Sequence, residues 1–291
     1  MATTTVQAFN EFNASIAPTA ATRTKVYDRR DIVVDVLRKA FPGGSDIVFG
    51  SAKIIGSLGR STATNPVADI DLMVDMKVTD EAWRKYQNDS AQFLYRIRNA
   101  VNGTSRVQKI GARGQAVSIF YSDGLTVDVA SMVKYTNGGY GIPDGGRGWL
   151  TTDPIRHETY LDEQNALLDG DLKKVIRLAK KWNKAHSSRL SSFHLEMLVA
   201  RTFGTLGNDS REALRLFFDH NHYNLTVMDP AHYSGDLSSY LSYTSRDAVN
   251  GSLKAARDRA DQALAAEHRG DHRESIRQWG IVLGKDFPSY G

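Results

Sequence analysis

Three aspartates carry most of the chemistry this sequence could do. Asp69 and Asp71 stand two residues apart at the head of an apolar run, Asp69-Ile70-Asp71-Leu72-Met73-Val74. Side chains alternate between faces along a strand, so these two share one face while Ile70 turns to the other. Carboxylates held this close repel each other unless a cation sits between them. A hard divalent ion suits such donors, keeping waters and substrate phosphates as its other ligands. Asp128 lies inside a second apolar, β-branched run, Leu125-Thr126-Val127-Asp128-Val129. An unpaired charge buried there would be costly, so Asp128 needs a cation or a hydrogen-bonding partner. The plainer reading is an edge-strand carboxylate facing water. If the two strands are neighbours, the three carboxylates converge. That arrangement fits two-metal catalysis, with one ion activating an attacking oxygen and the other steadying a leaving group.

Just upstream, Ile54-Ile55 ends at Gly56-Ser57, and a small polar loop follows with Arg60, Ser61 and Thr62. Glycine lets backbone approach a bound group closely, and amides at the start of a helix or turn suit a phosphate. Either fragment alone is commonplace, Asp-x-Asp as a solvated strand end and Gly-Ser as a turn. Their order, between apolar runs, argues for a phosphate cradle beside a metal-binding pair. That points to nucleotide chemistry.

Gly56-Ser57-x-x-Arg60-x-Thr62, Asp69-x-Asp71 and the later Asp128 resemble the signature of the DNA polymerase β-type nucleotidyltransferase superfamily. Within it the chain looks most like the bacterial cGAS/DncV-like nucleotidyltransferases (CD-NTases), and among their clades like CdnE. The features that narrow it are Ile142-Pro143 with Trp149, Asp153-Pro154, Arg177 with Lys180-x-Trp182, Ser192-Phe193-His194-x-Glu196, and the closing Trp279, Gly284 and Phe287-Pro288. The resemblance implies a metal-dependent enzyme that condenses NTPs (ATP, with UTP or GTP as further candidates) into a cyclic di- or oligonucleotide for antiphage signalling. It implies two magnesium ions, replaceable by manganese, on Asp69, Asp71 and Asp128, with Asp128 as general base. Gly56, Ser57, Arg60, Thr62, Arg177, Lys180 and Ser192 would hold the nucleotide. Asn165 is either a uracil-reading amide, as in CdnE-type relatives, or a helix cap. The implied partners are a downstream effector that binds the product and regulators from a defence operon, with no nucleic-acid activator and no membrane. A template-free RNA or tRNA nucleotidyltransferase and a protein-nucleotidylylating toxin would use the same carboxylates. A non-catalytic module that has kept the fold is a further alternative.

The elements that must position these residues are legible in outline. Val26, Ile32, Val33, Val36, Leu37 and Phe41 follow helical spacing over 24–41, after a loose Ala- and Thr-rich lead-in over 1–22. Asp80 opens a helix carrying Trp83, Tyr86, Phe93, Leu94, Ile97 and Val101, closed by Asn102-Gly103. Ser122-Asp123-Gly124 joins two strands into a hairpin. Glycines crowd residues 135–154, which read as irregular: a hinge or cleft wall with Tyr140 or Trp149 near a base, or a plain linker. Beyond this the chain reads as helical. Lys173, Arg177, Lys180 and Lys184 share one face of a helix whose mutual repulsion a triphosphate, or simply water, would relieve. His194 reads as structural. The whole predicts an α+β fold, a polymerase β-like core of mixed sheet and helices with a spine helix over 1–154, and a helical lobe closing the cleft over 155–291.

Composition sets outer limits. The 291 residues are 41% apolar and 24% charged, ordinary for a globular protein. There is no cysteine, so neither a disulfide nor a thiolate zinc site is available. A formal charge of +4 favours anionic substrates but is too small for a nucleic-acid coat. The N-terminus lacks a signal-peptide pattern, which predicts a cytoplasmic protein. The terminal Gly291 would suit conjugation.

Overall fold

In the computed structural model, which describes residues 2–291 without the side chain of Arg113, the expected loose lead-in is a helix, α1 (Thr5–Ile16). Thr4 caps it by accepting from Gln7 N, and Phe9, Phe12 and Ile16 fall on one buried stripe. The rings meet the far end of the sequence. Phe9 stands 5.0 Å from Trp279 and 5.2 Å from Phe287, and Phe12 5.2 Å from Phe287.

Next comes α2 (Ala20–Ala40), starting at its Thr19 cap and ending at Phe41 before Pro42-Gly43-Gly44. β1 (Ile47–Ile54), the four-residue α3 (Gly56–Gly59) and β2 (Asp69–Val78) then form the strand, turn and strand that the motif required. The helix expected over 80–101 is two, α4 (Asp80–Tyr86) and α5 (Ser90–Val101). The break follows from Asp89, whose carboxylate accepts from Gln92 N and so begins a new helix. β3 (Val107–Arg113), β4 (Ala116–Tyr121) and β5 (Thr126–Lys134) complete the main sheet, in the order β1-β2-β5-β4-β3. Only β2 and β5 run parallel, so the sheet is mixed.

The Gly-rich stretch is more regular than its composition suggests. β6 (Tyr140–Pro143) and β7 (Trp149–Thr152) form a hairpin that extends β5. Asp144 closes its turn by accepting from Gly146 N and Gly148 N. Trp149 is neither hinge nor base platform. Its ring packs among Trp83 and Phe93, and its indole N–H donates to Tyr86 O.

One face of the sheet is dry. Val33 and Leu37 of α2 and Phe93 and Ile97 of α5 cover Ile70, Leu72 and Val74 of β2, Val127 and Val129 of β5, and Val117 and Ile119 of β4. Strand alternation therefore sends Asp69, Asp71, Asp128, Ser118 and Phe120 to the opposite face.

The remaining helices are α6 (Pro154–Leu167), α7 (Leu172–Ala185), α8 (Ser192–Thr202), α9 (Ser210–Asn221), α10 (Tyr243–His268) and α11 (His272–Leu283). Trp182, Phe217, Phe218, Leu198 and Trp279 form their core, joined by the α1 aromatics. α10 contributes Ala256, Ala260 and Ala263, a small-residue stripe that lets neighbouring backbones come close.

Two units result. The sheet unit is Thr19–Arg60 with Val67–Glu158; the helical unit takes the chain up to Pro18, Ser61–Pro66 and Thr159–Gly291. The division thus falls inside α6 rather than at residue 154, and α1 belongs with the helices. The reason is packing, since the α1 rings have their partners in the C-terminal segment. No helix among the described residues is long and apolar enough to cross a membrane.

Candidate active site

The parallel register of β2 and β5 sets Asp71 directly beside Asp128, and Asp69 beside Thr126. All three aspartates share the face turned away from the sheet unit's core. Asp69 is exposed, and Asp71 and Asp128 are half-buried. Asp128 has a protein partner that the sequence reading did not name: Ser118 Oγ donates to its Oδ1 at 2.5 Å. Ser118 is the cross-strand neighbour of Asp128 in the β4–β5 hairpin. Counting outward from the Ser122-Asp123-Gly124 turn would have found it. The bond fixes one carboxylate oxygen.

Among the described residues no three acidic or histidine side chains already form an ion cage. Small hard dications rarely need one, since they bind through one or two carboxylates together with water and substrate phosphates. Oxygen donors on neighbouring strands, half in contact with solvent, fit that chemistry. Sulfur or imidazole ligands are not part of the set.

Gly56 sits on Asp71. Ile55 N donates to Asp71 O at 2.8 Å, and Gly56 takes a φ of +64°, which side-chain-bearing residues rarely adopt. A Cβ there would fall 1.8 Å from Asp71 Oδ2. The glycine therefore serves the carboxylate as much as any phosphate. Ser57 follows in the first turn of α3, and Arg60, which is buried, ends that helix with its N–H donating to Gly56 O.

The helical unit holds the other candidates, and their placement revises several expectations. Thr62 is completely buried and donates its hydroxyl to Glu196 Oε1 at 2.9 Å. Lys180 pairs with the same oxygen at 2.6 Å and also donates to Thr62 O at 3.1 Å. Arg177 donates to Ser61 O at 3.1 Å, where the backbone has a φ of +59°. Lys173 pairs with Asp162. Three of the four cations in the basic stripe of α7, Lys173, Arg177 and Lys180, thus meet acceptors from the protein itself, and two of them staple residues 61–62 in place. Thr62 is a structural hydroxyl here, with no surface a nucleotide reaches. Glu196, buried and anionic beside Lys180, is the member of this network that sequence reasoning left without a role.

Asn165 serves as a helix cap, one of its two readings. Its Oδ1 accepts from Lys173 N at 3.1 Å, capping α7 from outside, where the local cap Asp171 makes no side-chain bond. Ser192 is exposed in the first turn of α8. His194 is structural. Its Nε2 lies 2.7 Å from Leu225 O, and its Nδ1 lies 3.1 Å from Tyr240 Oη, which accepts from Ser191 N. Burial, chiefly, pushes its pKa below the usual imidazole range.

The chain also matches known proteins over most of its length. Residues 3–165 match the Second Messenger Oligonucleotide or Dinucleotide Synthetase domain. A protein of Bacillus cereus described as a probable cyclic nucleotide synthase is 28% identical over 294 residues, spanning 89% of this chain and 86% of its own. The cyclic AMP-AMP-AMP synthase of an Acinetobacter species is 25% identical over 305 residues, spanning 98% and 86%. Among solved structures, Escherichia coli CdnC with ATP superposes with a TM-score of 0.78 at 18% identity, covering 97% of this chain and 98% of that one. Vibrio cholerae DncV, a cyclic AMP-GMP synthase, gives 0.77 at 14%, covering 95% and 94%. With the family matched over more than half its length, the chain belongs to the bacterial cGAS/DncV-like nucleotidyltransferases, the enzymes that make cyclic oligonucleotide second messengers.

Proposed function

We propose that Asp69, Asp71 and Asp128 are the catalytic carboxylates of an NTP-condensing reaction in antiphage signalling. The observation that supports this most directly is the register pairing of Asp71 with Asp128 on the face that also carries Asp69, under the Gly56 turn. A pair of divalent ions, magnesium being the natural choice, would supply Lewis-acid activation of the attacking hydroxyl and charge neutralisation at the leaving pyrophosphate. Asp69 and Asp71 would hold these ions, with Asp128 on the acceptor side. Ser118 holds one oxygen of the Asp128 carboxylate, leaving the second for the acceptor hydroxyl. Gly56 and Ser57 bring backbone close to the donor phosphates. On the helical unit, Ser192 is the accessible candidate for a phosphate, while Lys180, Arg177 and Thr62 act by fixing the 61–62 segment. Catalysis would rest mainly on positioning and charge stabilisation.

ATP is the first substrate to test, being the ligand solved with CdnC, and a regulatory partner is suggested by the CdnC complex with HORMA. Incubation with the four NTPs and magnesium, without RNA, should give a small cyclic product by mass spectrometry. Chelation should abolish it. Asp128→Asn, or Asp69→Ala with Asp71→Ala, should cut turnover by about 10²-fold or more while leaving the unfolding midpoint unchanged. Label appearing on protein, or a strict need for an RNA primer, would favour the toxin or RNA-tailing alternatives instead.

A further inference from the structure

Ser192 and His194 stand two residues apart in the first turn of α8, the serine exposed and the imidazole buried. A buried imidazole needs partners for its nitrogens. Nε2 lies 2.7 Å from Leu225 O, a carbonyl that can only accept, so Nε2 carries the proton. In the neutral ring Nδ1 is then an acceptor, and Tyr240 Oη, 3.1 Å away, donates its hydroxyl proton there. The phenol oxygen in turn accepts from Ser191 N at 2.8 Å. One carbonyl thus sets the direction of every bond from Leu225 through His194 and Tyr240 to the residue before Ser192. The imidazole and phenol rings meet edge to face, with centroids 5.7 Å apart.

A helix that needed only a stable start would use its own cap. Ser191 has the extended backbone of an N-cap, with φ −63° and ψ 148°, and serine is among the best capping residues, yet its side chain makes no cap bond. The approach to α8 is held instead by side chains from elsewhere. Asn183 donates from Nδ2 to Leu190 O at 2.7 Å and accepts from Leu190 N at 3.1 Å, while Tyr240, 49 residues downstream, takes Ser191 N. In the connection from α7, Ser187 and Ser188 have φ of +76° and +48°. Such backbone persists in residues other than glycine only where the surroundings over-determine it, and it gathers at functional sites. Backbone fixed this firmly just ahead of an exposed serine aims that serine.

We propose that Tyr240 is a positioning residue for the donor nucleotide: oriented by His194, its hydroxyl fixes the backbone at Ser191 and through it the aim of the Ser192 hydroxyl at the donor phosphates. This rests on the proposed assignment of Ser192 to those phosphates. Tyr240 acts through Ser192 and needs no contact with substrate. Hydrogen bonds weaken steeply as their angle departs from linear, so a small rotation of the first turn of α8 is enough to lose the contact.

The test is a double-mutant cycle read on the donor. A 2′,3′-dideoxynucleoside triphosphate lacks both ribose hydroxyls and can serve only as donor, so titrating it against a natural NTP, and the reverse, gives a donor KM and an acceptor KM from linear dinucleotide formation. Tyr240→Phe keeps the ring and deletes the hydroxyl. It should raise the donor KM about fivefold, the size of one net hydrogen bond, and leave kcat and the acceptor KM unchanged. Ser192→Ala should raise the donor KM by about tenfold or more, since it removes a bond to a charged group. In the Ser192→Ala background, Tyr240→Phe should then add nothing, because the group it positions is gone. An unchanged donor KM in Tyr240→Phe, an equal rise in both KM values, or additive losses in the double variant would each overturn the proposal while leaving the Ser192 reading intact. A lowered unfolding midpoint with the donor KM unmoved would make Tyr240 a structural cap and overturn it too. If Ser192→Ala itself leaves the donor KM unchanged, the assignment of Ser192 fails and the positioning role with it.

Discussion

A methyl group on Gly56 would fall 1.8 Å from Asp71 Oδ2, on a backbone whose φ of +64° already disfavours side chains. Gly56→Ala must therefore push the carboxylate aside or unwind the turn. Displacements of this order cost about 10²-fold in rate, and the strained backbone adds about 1–2 kcal/mol of destabilisation. A turnover assay with an unfolding curve would show both losses. At this scale the sequence was most legible for Asp69, Asp71 and Asp128, because strand alternation assigns faces without knowledge of the fold. It was least legible for Thr62 and Lys180. Their partner, Glu196, lies 134 residues beyond Thr62, and no local pattern announces a buried pair at that separation. Ser118 lay between these extremes, readable once the hairpin turn is taken as fixing register.

Helices α7 and α8 each begin on a side chain borrowed from another element. Removing the Asn165 carbonyl from α7 leaves Lys173 N without its acceptor, so Asn165→Ala should cost about 1 kcal/mol, visible as a lower unfolding midpoint. The base composition of the product should be that of the parent. The start of α8 is pinned through Tyr240 and His194. Burial is the largest influence lowering the His194 pKa, assisted by Arg246 and Arg201 and opposed by the Leu225 carbonyl and Asp236. With the folded pKa depressed, the unfolded chain binds the proton first. This contribution to stability is whole above the usual imidazole pKa of about 6.5 and declines as pH falls from there towards the depressed value. The unfolding midpoint should drop on acidification through that window, and His194→Gln should flatten the slope. Element existence and type followed from the sequence for α2 and the β4–β5 hairpin. The split between α4 and α5 and the β6–β7 hairpin were hidden. An Asp89 cap inside a continuous apolar stripe, and an Asp144 turn among glycines, are hydrogen-bonding facts that periodicity does not report.

For the molecule as a whole, the most misleading segment was the first. Ala and Thr dilute residues 1–22, yet Phe9, Phe12 and Ile16 stand at helical spacing behind a good cap. Their partners lie at the other end of the chain, so nothing nearby marked them as core. Phe12 is completely buried, and Phe12→Ala should cost about 3–5 kcal/mol in denaturant unfolding. A similar value from an exposed control such as Val6→Ala would contradict the packing described here.

The polypeptide enters the helical unit, leaves it, returns for Ser61–Pro66, departs again and settles there only from Thr159. No single scission of the gene can release either unit whole. Expressing the halves on either side of residue 154 should yield two fragments that each lack a piece of their own core. They should prove insoluble apart and recover activity only when made together. For the same reason, swapping the sheet unit of one relative onto the helices of another demands two separate segments exchanged at four junctions, and grafts made at one junction should fail.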